Sequence, residues 1–581
     1  MDTIVQLKNE TPAEPGLSSP PRLLRLFALP WIPLLFLVII LILFGSVRYR
    51  LRDMPLERDE GEYAFAGQLM LQGIPPYKLA YNMKLPGTYA AYAAILAAFG
   101  ETPAGIHLGL LLVNAVTSLL LYFLAVRLFG RLAGVVAGAS YALLSTSPSV
   151  YGFQAHATNF VVLPAIFGIL LLLYALQSGR LWLFLASGLF EGIAFLMKQH
   201  GAFFVLFCFL YLVVSARKQR CSPRNVLRYS ALFALGSILP YAAMVWLLHR
   251  SGVFGQFWFW TVSYAAEYSK ANPWRTVRAF LMQSRVVVGP AALVWVLAAS
   301  GITAPRWSPS ARKYSWFLTA LLLFSFLSIC PGNKFRLHYF VLLLPVIAIL
   351  VGVAISSATE LLAGLQKSKY LIIFPSLAFL ACFGSSIFQR RAFYFSLSPE
   401  QAMGYTEDGQ VFLAAGKIAE YVKNDSSPSS RIAVLGSEPE IYFYANRHPA
   451  TGYIYMYSLT ARQKYTTYMR QQMIQEIETG RPDLLIYVDD RESLGTWNAT
   501  APEVIALLSW AQKYMQDQYE RVGVVDIGES IQYVWGDAAR TYLPRSGKAI
   551  YVLKRKSASA EIHFIHRMFI RNYLVSRFHQ W

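Results

Sequence analysis

The sequence predicts a polytopic α-helical membrane protein that carries a soluble α/β domain in its C-terminal part. Three observations lead to this fold class. Hydrophobic residues make up 55% of the 581-residue chain and charged residues only 14%, which is too apolar for an ordinary soluble enzyme. The segment 27–47 is an uncharged apolar run that is long enough to cross the roughly 30 Å hydrocarbon core of a bilayer. Beyond about residue 400, short apolar strands alternate with helical stretches.

Eleven apolar runs are predicted to cross the membrane. The first run, 27–47, lacks the small-residue cleavage site of a signal peptide, so we expect it to remain as an anchor. The others are 105–129, 132–150, 159–177, 181–197, 201–216, 227–248, 286–302, 315–331, 337–357 and 370–388. The chain therefore divides into an N-terminal segment, 1–26, a transmembrane domain, 27–388, and a C-terminal α/β region, 389–581, which ends in a basic and aromatic tail.

The distribution of lysine and arginine predicts the orientation of these spans. With the N-terminus in the cytoplasm, the connections on that side hold most of the basic residues: Arg127, Arg131, Arg180, Arg217, Lys218, Arg220, Arg224, Arg228, Arg306, Arg312, Lys313, Lys367 and Lys369. The short connections on the other side hold only Lys198, Lys334 and Arg336. An odd number of spans then places the first outer loop, 48–104, and the C-terminal region on the extracytoplasmic side.

Composition also excludes several classes of protein. The net charge of +20 fits this topology and contacts with anionic lipid or phosphate. No basic run interleaved with aromatic residues indicates a nucleic-acid partner. The four cysteines lie in or beside apolar runs without the spacing of metal ligands, so neither disulfides nor a zinc site is expected. The motifs of nucleotide-binding proteins and of serine hydrolases are also missing from the sequence.

The first outer loop concentrates charge in a chain that otherwise has little. Asp59, Glu60 and Glu62 follow the first span, and Lys84 comes some twenty residues later. A carboxylate beside a bilayer suits a general base for a sugar hydroxyl, and a lysine at a helix start suits a phosphate. Helix capping by the carboxylates and headgroup contact by the lysine are the alternative interpretations.

Two short helices are predicted in this loop, at 59–72 and 88–99. Asp59 and Glu62 have the N-cap and N3 spacing of a capping box for the first helix. Asp59 and Glu60 are adjacent, so they cannot both face one point on a helix surface. One of them is expected to bind the acceptor, while the other caps the helix or orients the first carboxylate.

Further candidate ligands are predicted on the same side of the membrane. Lys334, Arg336 and His338 place three potential cations at the mouth of a span, where they suit a lipid phosphate or anchor the span among headgroups. Glu191 lies inside a predicted span, where a carboxylate is either functional or paired with a basic residue of a neighbouring span. Other possible substrate-binding residues are Tyr63, Gln154, His156, Lys198 and Gln199.

Seven stretches, taken in chain order, carry a resemblance to a known family. They are RDEGEYAFAGQLMLQGIPPY (58–77), KLPGTY (84–89), GFQAHATNF (152–160), GIAFLMKQHG (192–201), NKFRLHYFVLLLPVIA (333–348), RIAVLGSEPEIYFYANRHPATGY (431–453) and RPDLLIYVD (481–489). Together they resemble the glycosyltransferase-C superfamily. The most similar group is the bacterial protein O-mannosyltransferase-like and lipid A aminoarabinose transferase-like enzymes, of glycosyltransferase families 39 and 83.

The resemblance implies a fold, a donor and two site residues. The fold is a bundle of about eleven membrane helices with juxtamembrane helices in the first outer loop and a soluble α/β domain. The donor is a sugar on a polyprenyl monophosphate. Asp59 matches the family's catalytic base, and Lys84 matches the lysine near the donor phosphate. The Lys-Pro-Pro of aminoarabinose transferases is Lys84-Leu85-Pro86 here, so a lipid A acceptor is not implied.

The sequence therefore predicts a hexosyl- or pentosyltransferase in the cell membrane of a bacterium, with an extracytoplasmic active site. Sugar would pass by inverting displacement to a hydroxyl of a lipid-linked glycan, a polysaccharide or a protein. Lys84 would hold the donor phosphate with help from Lys334, Arg336 or His338. No cofactor is required, although the acidic cluster has the groups to hold a divalent metal. A lipid or glycan transporter, which needs polar sites at mid-membrane, and a non-catalytic envelope-assembly protein are the alternatives.

Overall fold

The computed structural model describes residues 32–268, 273–365, 371–406, 408–496 and 500–556. The N-terminal segment, 1–26, and the basic aromatic tail, 564–581, lie outside the described residues. Within the described ranges the predicted fold class is confirmed, because apolar helices form a membrane part and a six-stranded sheet with helices follows them.

Helices make up the first two thirds of the chain. In chain order they are α1 (Ile32–Arg50), α2 (Arg58–Leu71), α3 (Pro86–Phe99), α4 (Pro103–Phe129), α5 (Arg131–Ser145), α6 (Ala157–Ser178), α7 (Leu181–Met197), α8 (Ala202–Lys218), α9 (Pro223–Arg250), α10 (Phe254–Trp258), α11 (Ala265–Tyr268), α12 (Pro273–Val288), α13 (Ala292–Thr303), α14 (Pro309–Lys313), α15 (Ser315–Ile329), α16 (Leu344–Gly364), α17 (Phe374–Gln389), α18 (Arg391–Phe395) and α19 (Pro399–Met403).

The apolar helices agree in position with the predicted spans. Among the described residues, eight helical segments are long and apolar enough to cross a membrane, and α5, α7 and α15 are shorter apolar helices. The protein is therefore a multi-pass membrane protein, while the total of eleven spans stays a prediction. The span predicted at 337–357 begins later, because Pro345 occupies the first turn of α16 and a 3-10 turn precedes it.

Local sequence signals set the ends of these helices and their close packing. Thr102 accepts a hydrogen bond from the backbone N–H of Gly105 at the start of α4, which is an N-cap. Helices α7 and α9 approach closely through glycine, since a Cβ added at Gly188 would lie 2.0 Å from the carbonyl oxygen of Phe233. Small residues at such contacts let two membrane helices pack backbone to backbone.

The loop 48–104, which is predicted to be extracytoplasmic, contains α2 and α3 as expected, but the cap of α2 was predicted two residues too late. Glu57 is the N-cap, and its carboxylate accepts from the backbone N–H of Glu60 at 3.0 Å. Glu60 in turn accepts from the N–H of Glu57 at 3.3 Å, which completes the capping box. The prediction followed the preference of aspartate for N-caps, whereas burial of Glu60 fixes the observed register. Asp59 therefore lies in the first turn and does not cap the helix.

The soluble part is an α/β sheet structure. Its elements are α20 (Gly409–Asn424), β1 (Arg431–Leu435), α21 (Glu440–Ala445), β2 (His448–Pro449), α22 (Tyr457–Thr460), α23 (Thr466–Gly480), β3 (Leu484–Asp489), α24 (Arg491–Leu494), α25 (Pro502–Gln518), β4 (Tyr519–Ile527), β5 (Ile531–Trp535), α26 (Asp537–Thr541) and β6 (Ala549–Arg555). The strand order is β2-β1-β3-β6-β4-β5, with β1 parallel to β2 and β3 and the other pairs antiparallel. Strands β1, β3 and β6 were predicted, whereas β2 and the β4–β5 hairpin were not.

Helix α2 packs into the hydrophobic core of this soluble part. The rings of Phe65 and Tyr442 stack with their centroids 5.4 Å apart. Gly61 permits the contact, since a Cβ there would lie 2.6 Å from the backbone nitrogen of Glu440. The same hydrophobic cluster contains residues of α2 and α3 together with residues of α20, β1 and β3. The loop that carries the predicted site is thus part of the soluble domain's core as well as of the membrane part.

Candidate active site

Asp59 and Lys84, the two residues that the sequence analysis favoured, are in direct contact. The ammonium of Lys84 donates to Asp59 Oδ1 at 2.7 Å and to Glu62 Oε2 at 2.8 Å. Asp59 lies on α2, and Lys84 lies just before Leu85, the N-cap residue of α3. The side chains of Asp59 and Lys84 are 24% and 20% exposed, while that of Glu62 is 1% exposed. Asp59 is therefore the carboxylate of this trio that an incoming substrate can reach.

Glu62 is surrounded by donors from three parts of the chain. Tyr89 on α3 donates its hydroxyl to Glu62 Oε1 at 2.5 Å. Tyr455, from the soluble domain, donates to Glu62 Oε2 at 2.9 Å. Together with Lys84 these groups use most of the acceptor capacity of the carboxylate. Burial raises the pKa of Glu62, and the charge of Lys84 only partly opposes that shift.

The pKa values of Asp59 and Lys84 are set by two opposing effects, burial and the charge of the partner. Burial alone raises the pKa of the Asp59 carboxyl, but Lys84 and the contact with His156 outweigh it and hold that pKa well below its usual value. Burial also acts against the charge of Lys84, yet Asp59 and Glu62 raise its pKa well above the ordinary value for lysine. Both groups are therefore charged at neutral pH.

Glu60 faces away from this pair and is fully enclosed. Its Oε1 accepts from the backbone N–H of Ala155 at 2.6 Å and lies 3.0 Å from Nε2 of His107. Its Oε2 completes the capping box with Glu57. These contacts tie the start of α2 to α4 and to the connection before α6. The predicted division of roles between adjacent carboxylates thus has a geometric basis, with Asp59 accessible and Glu60 buried.

Two imidazoles stack beside Asp59. The rings of His156 and His338 lie 4.0 Å apart and nearly parallel, and Nδ1 of His156 is 3.6 Å from Asp59 Oδ2. Among the buried atoms of the described residues, both ring nitrogens of His156 and Nδ1 of His338 have no hydrogen-bond partner. One ligand atom from each of the three residues lies within 4.8 Å of the others. Two imidazoles and a carboxylate are a donor set that suits a divalent transition metal, so these residues fit such an ion.

Lys198 lies above the ring of Tyr339, with Nζ 4.2 Å from the ring centroid. Burial lowers the pKa of Lys198 to about 7. The nearby positive charge of Lys84 lowers this pKa further, while the negative charge of Asp59 opposes the shift. The adjacent Gln199 donates its amide to the carbonyl of Met83 at 2.9 Å. The connection between α7 and α8 is therefore bonded to the segment that presents Lys84.

The structure places the other predicted residues at varying distances from this centre. Tyr63 lies beneath the ammonium of Lys84, with its ring centroid 4.5 Å from Nζ. Gln154 donates to Thr406 Oγ1 at 2.8 Å. The ammonium of Lys334 lies over the ring of Tyr268 at 5.4 Å. Arg336 directly precedes the 3-10 turn, Leu337–Leu342, that leads into α16.

Glu191 belongs to a different environment. Its carboxylate accepts from Sγ of Cys208 on α8 at 3.1 Å, inside the helix bundle. A basic partner on a neighbouring span was one of the two alternatives expected for Glu191, and among the described residues the hydrogen-bond partner is this thiol instead. A Cβ added at Gly168 would meet Glu191 Oε1 at 2.6 Å, so α6 packs closely against the carboxylate. All four cysteines are free, as expected.

An apolar cavity of about 430 Å³ opens among α7, α8 and α9. It is lined by Phe195, Ala202, Val205, Leu206, Phe209, Phe233, Ala234, Ser237, Ile238 and Tyr241. Two of these residues, Phe195 and Ala202, are close in the chain to Lys198. Sequence reasoning did not find this cavity, nor did it find Tyr89, Tyr455 or His107. Tyr455 is 393 residues from Glu62, and no sequence signal connects the two.

Comparison with known proteins agrees with this architecture. Residues 84–247 match the family model of dolichyl-phosphate-mannose-protein mannosyltransferases. ArnT from Cupriavidus metallidurans, solved bound to undecaprenyl phosphate, superposes with a TM-score of 0.55 at 16% identity, over 89% of this chain and 97% of ArnT. The Archaeoglobus fulgidus oligosaccharyltransferase in its apo form gives a TM-score of 0.51 at 14% identity, over 89% and 76% of the two chains. No curated protein sequence matches the chain.

The membrane helices define a multi-pass membrane protein, and its fold is similar to those of ArnT and of the archaeal oligosaccharyltransferase. The fold agrees with the one that the resemblance of the seven stretches implied.

Proposed function

We propose that this protein is a membrane glycosyltransferase that moves a sugar from a polyprenyl-phosphate donor to a hydroxyl of a cell-envelope acceptor on the extracytoplasmic face. The observation that carries the proposal is the contact of the accessible carboxylate of Asp59 with the ammonium of Lys84. The family model that matches residues 84–247 is named for a lipid-phosphate sugar donor, and ArnT was solved with undecaprenyl phosphate. Both support a donor of this class.

Binding of the donor phosphate is assigned to Lys84, with Lys198 as a second cation. An ammonium has three N–H donors, and Lys84 spends two of them on Asp59 and Glu62. The third is left for a phosphate oxygen. The apolar cavity among α7, α8 and α9 is lined by Phe195 and Ala202, which flank Lys198 in the chain, and we assign it to part of an isoprenoid tail. Lys334, Arg336 and His338 remain candidates for further contacts with the phosphate.

The chemical step is assigned to Asp59. The acceptor hydroxyl gives its proton to the carboxylate while its oxygen attacks the anomeric carbon, and the bond from that carbon to the phosphate oxygen breaks. The polyprenyl phosphate leaves from the opposite face, which inverts the anomeric configuration. A donor phosphate that draws on Lys84 weakens the Lys84–Asp59 interaction, so the carboxylate becomes a stronger base when the donor is bound. Electrostatic stabilisation of the leaving phosphate supplies much of the remaining rate acceleration.

The residues around this pair are given supporting roles. Glu60 fixes the start of α2 through Ala155 and His107, so we assign it to positioning rather than to proton transfer. Asp59, His156 and His338 would hold a divalent cation if one binds, and its charge would help to neutralise the phosphate. The phosphate monoester is already a good leaving group, so transfer is proposed not to require the metal.

Transfer assays with three proteins test the proposal. Wild type, Asp59→Asn and Asp53→Asn are reconstituted in liposomes with labelled polyprenyl-phosphate sugars and an envelope extract as the source of acceptor. Asp53 is the matched control, because it lies in the same loop but is 59% exposed and pairs with its neighbour Arg52. We expect Asp59→Asn to lose at least about 100-fold in turnover while it stays folded, and Asp53→Asn to match the wild type.

Two results would contradict the proposal. Wild-type turnover by Asp59→Asn would remove Asp59 from the role of base. Movement of the labelled lipid-linked sugar across the bilayer without transfer to any acceptor would favour the transporter alternative. The labelled product of the wild-type reaction would also identify the sugar and the acceptor.

A further inference from the structure

We propose that Tyr455 of the soluble domain is a positioning residue for the donor site. Its hydroxyl holds Glu62, and Glu62 holds the ammonium of Lys84 where the donor phosphate needs it. This inference rests on the proposed function and adds to it that the soluble domain completes the active site. The domain is then required for donor binding, beyond any part it has in recognising the acceptor.

The contact between the two domains is short and buried. Tyr455 is 3% exposed, and its hydroxyl lies 2.9 Å from Glu62 Oε2 and 3.0 Å from the carbonyl oxygen of Arg58. A phenol has one proton to donate, and the charged carboxylate is the nearer and stronger acceptor. The ring of Tyr455 also lies 6.0 Å from Nζ of Lys84. Tyr455 therefore constrains Lys84 through the carboxylate and through its own ring.

Glu62 acts on Lys84 rather than on substrate. It is completely buried, and its donors come from α3, from the soluble domain and from the segment before α3. Without Tyr455, Oε2 of Glu62 would retain only Lys84 as a donor, and the carboxylate would be free to rotate toward Tyr89. The ammonium of Lys84 would move with the carboxylate, because leaving the buried charge of Glu62 unpaired is costly. The third N–H of Lys84 would then point away from the phosphate.

The soluble domain holds Tyr455 in this position through a separate set of hydrogen bonds. The backbone N–H of the next residue, Met456, donates to Ser437 Oγ at 3.1 Å. The carbonyl oxygen of Ser437 accepts from Nε of Arg58 on α2 at 2.8 Å. The guanidinium of Arg58 also lies 3.5 Å from Glu438. The side chain of Ser437 thus bonds to the backbone next to Tyr455, and its carbonyl oxygen bonds to α2. These two hydrogen bonds fix the position of Tyr455 relative to the helix that carries Glu62.

Affinity for undecaprenyl phosphate, measured by titration of the full-length protein in nanodiscs, tests this role. We expect Tyr455→Phe to bind about tenfold more weakly than the wild type, since it loses one hydrogen bond to a charged group. Tyr89→Phe removes the other hydroxyl from Glu62 and is expected to weaken binding similarly. Tyr442→Phe is the matched control. Its hydroxyl is equally buried but accepts only from the backbone N–H of Val434 inside the soluble domain, so affinity should not change.

A double-mutant cycle separates positioning from a general loss of structure. If Tyr455 acts through the carboxylate, Tyr455→Phe should cost less than about twofold in a Glu62→Gln background, where the ammonium keeps Asp59 but has already lost the charged carboxylate that Tyr455 holds. Wild-type affinity in Tyr455→Phe, or the same tenfold loss in both backgrounds, overturns the inference. A wild type that does not bind undecaprenyl phosphate overturns the proposed donor itself, which is a different result from unchanged affinity in the variant.

Discussion

The carboxylate of Asp59 and the ammonium of Lys84 lie 2.7 Å apart, although 25 residues separate them in the sequence. In the resting protein the lysine thus neutralises the residue that we propose as the base. In the proposed mechanism, a donor phosphate and Asp59 then share the positive charge of one ammonium. Because an anion at Lys84 weakens its hold on Asp59, donor binding and activation of the base are coupled through a single side chain. The coupling predicts that the donor binds before the acceptor is activated.

Replacement of Lys84 by alanine should weaken donor binding by more than tenfold, because the site loses its main phosphate contact. It should also lower the thermal stability, since Glu62 would be left buried without a charged partner. Titration with undecaprenyl phosphate and a thermal unfolding curve measure the two effects. Lys78, an exposed lysine of the same loop, provides the control variant Lys78→Ala. Unchanged affinity in Lys84→Ala would reject the phosphate contact.

The affinity for donor should depend on pH through Lys198. Its pKa is lowered to about 7, so the ammonium is charged below that pH and neutral above it. An anionic donor prefers the charged form, and KM for donor should therefore rise as the pH increases from 6 to 8.5. The groups that face Lys198 are the ring of Tyr339, the charges of Asp59, Lys84 and Glu62, and the imidazoles of His200 and His338.

The control for this pH dependence is Lys198→Arg, because a guanidinium stays charged across the whole range. The sugar-bearing donor is a phosphodiester and does not titrate between these pH values. KM in the arginine variant should therefore stay flat from pH 6 to 8.5. A wild-type profile that is equally flat would show that Lys198 does not titrate on contact with the donor.

Glu60→Gln should reduce stability and leave donor affinity intact. The substitution weakens the acceptor of the Ala155 N–H and the contact with His107, so we expect a loss of about 1–3 kcal/mol in the free energy of unfolding. Chemical denaturation in detergent measures that loss, and titration with undecaprenyl phosphate measures affinity. Asp59→Asn, by contrast, should lose turnover while its free energy of unfolding changes little. If folded Glu60→Gln has a turnover as low as that of Asp59→Asn, Glu60 takes part in the transfer reaction itself.

Removal of divalent metal should leave transfer nearly unchanged. In the proposed mechanism, Lys84 and Lys198 supply positive charge at the phosphate, and the leaving group needs no protonation. We expect the initial rate after treatment with EDTA to stay within about twofold of the untreated rate, in parallel for the wild type and for His156→Ala. A loss that added Mn²⁺ or Zn²⁺ restores in the wild type alone would assign a required ion to Asp59, His156 and His338.

Much of the outline of this molecule was predictable because it follows from local patterns. Long apolar runs can only be helices in a bilayer, and the helices found in the described ranges agree in position with the predicted ones. Proline and glycine set the limits of α3 at Pro86 and Gly100, close to prediction. The first turn of α2 was predicted two residues out of register. The cap of α2 involves Glu60, whose position is set by its contacts with Ala155 and His107. These are tertiary contacts, which the local sequence does not reveal.

The sequence by itself determined that the chain is a multi-pass membrane protein with a soluble α/β domain, and it singled out Asp59 and Lys84. Hydropathy and charge spacing act over a few turns of chain, so they can be read without a structure. Only the tertiary structure decided that Glu62 is an internal support, that Tyr455 reaches it from the soluble domain, and that His156 stacks on His338. Contacts between residues hundreds of positions apart depend on how helices and domains pack, and no local pattern encodes that packing.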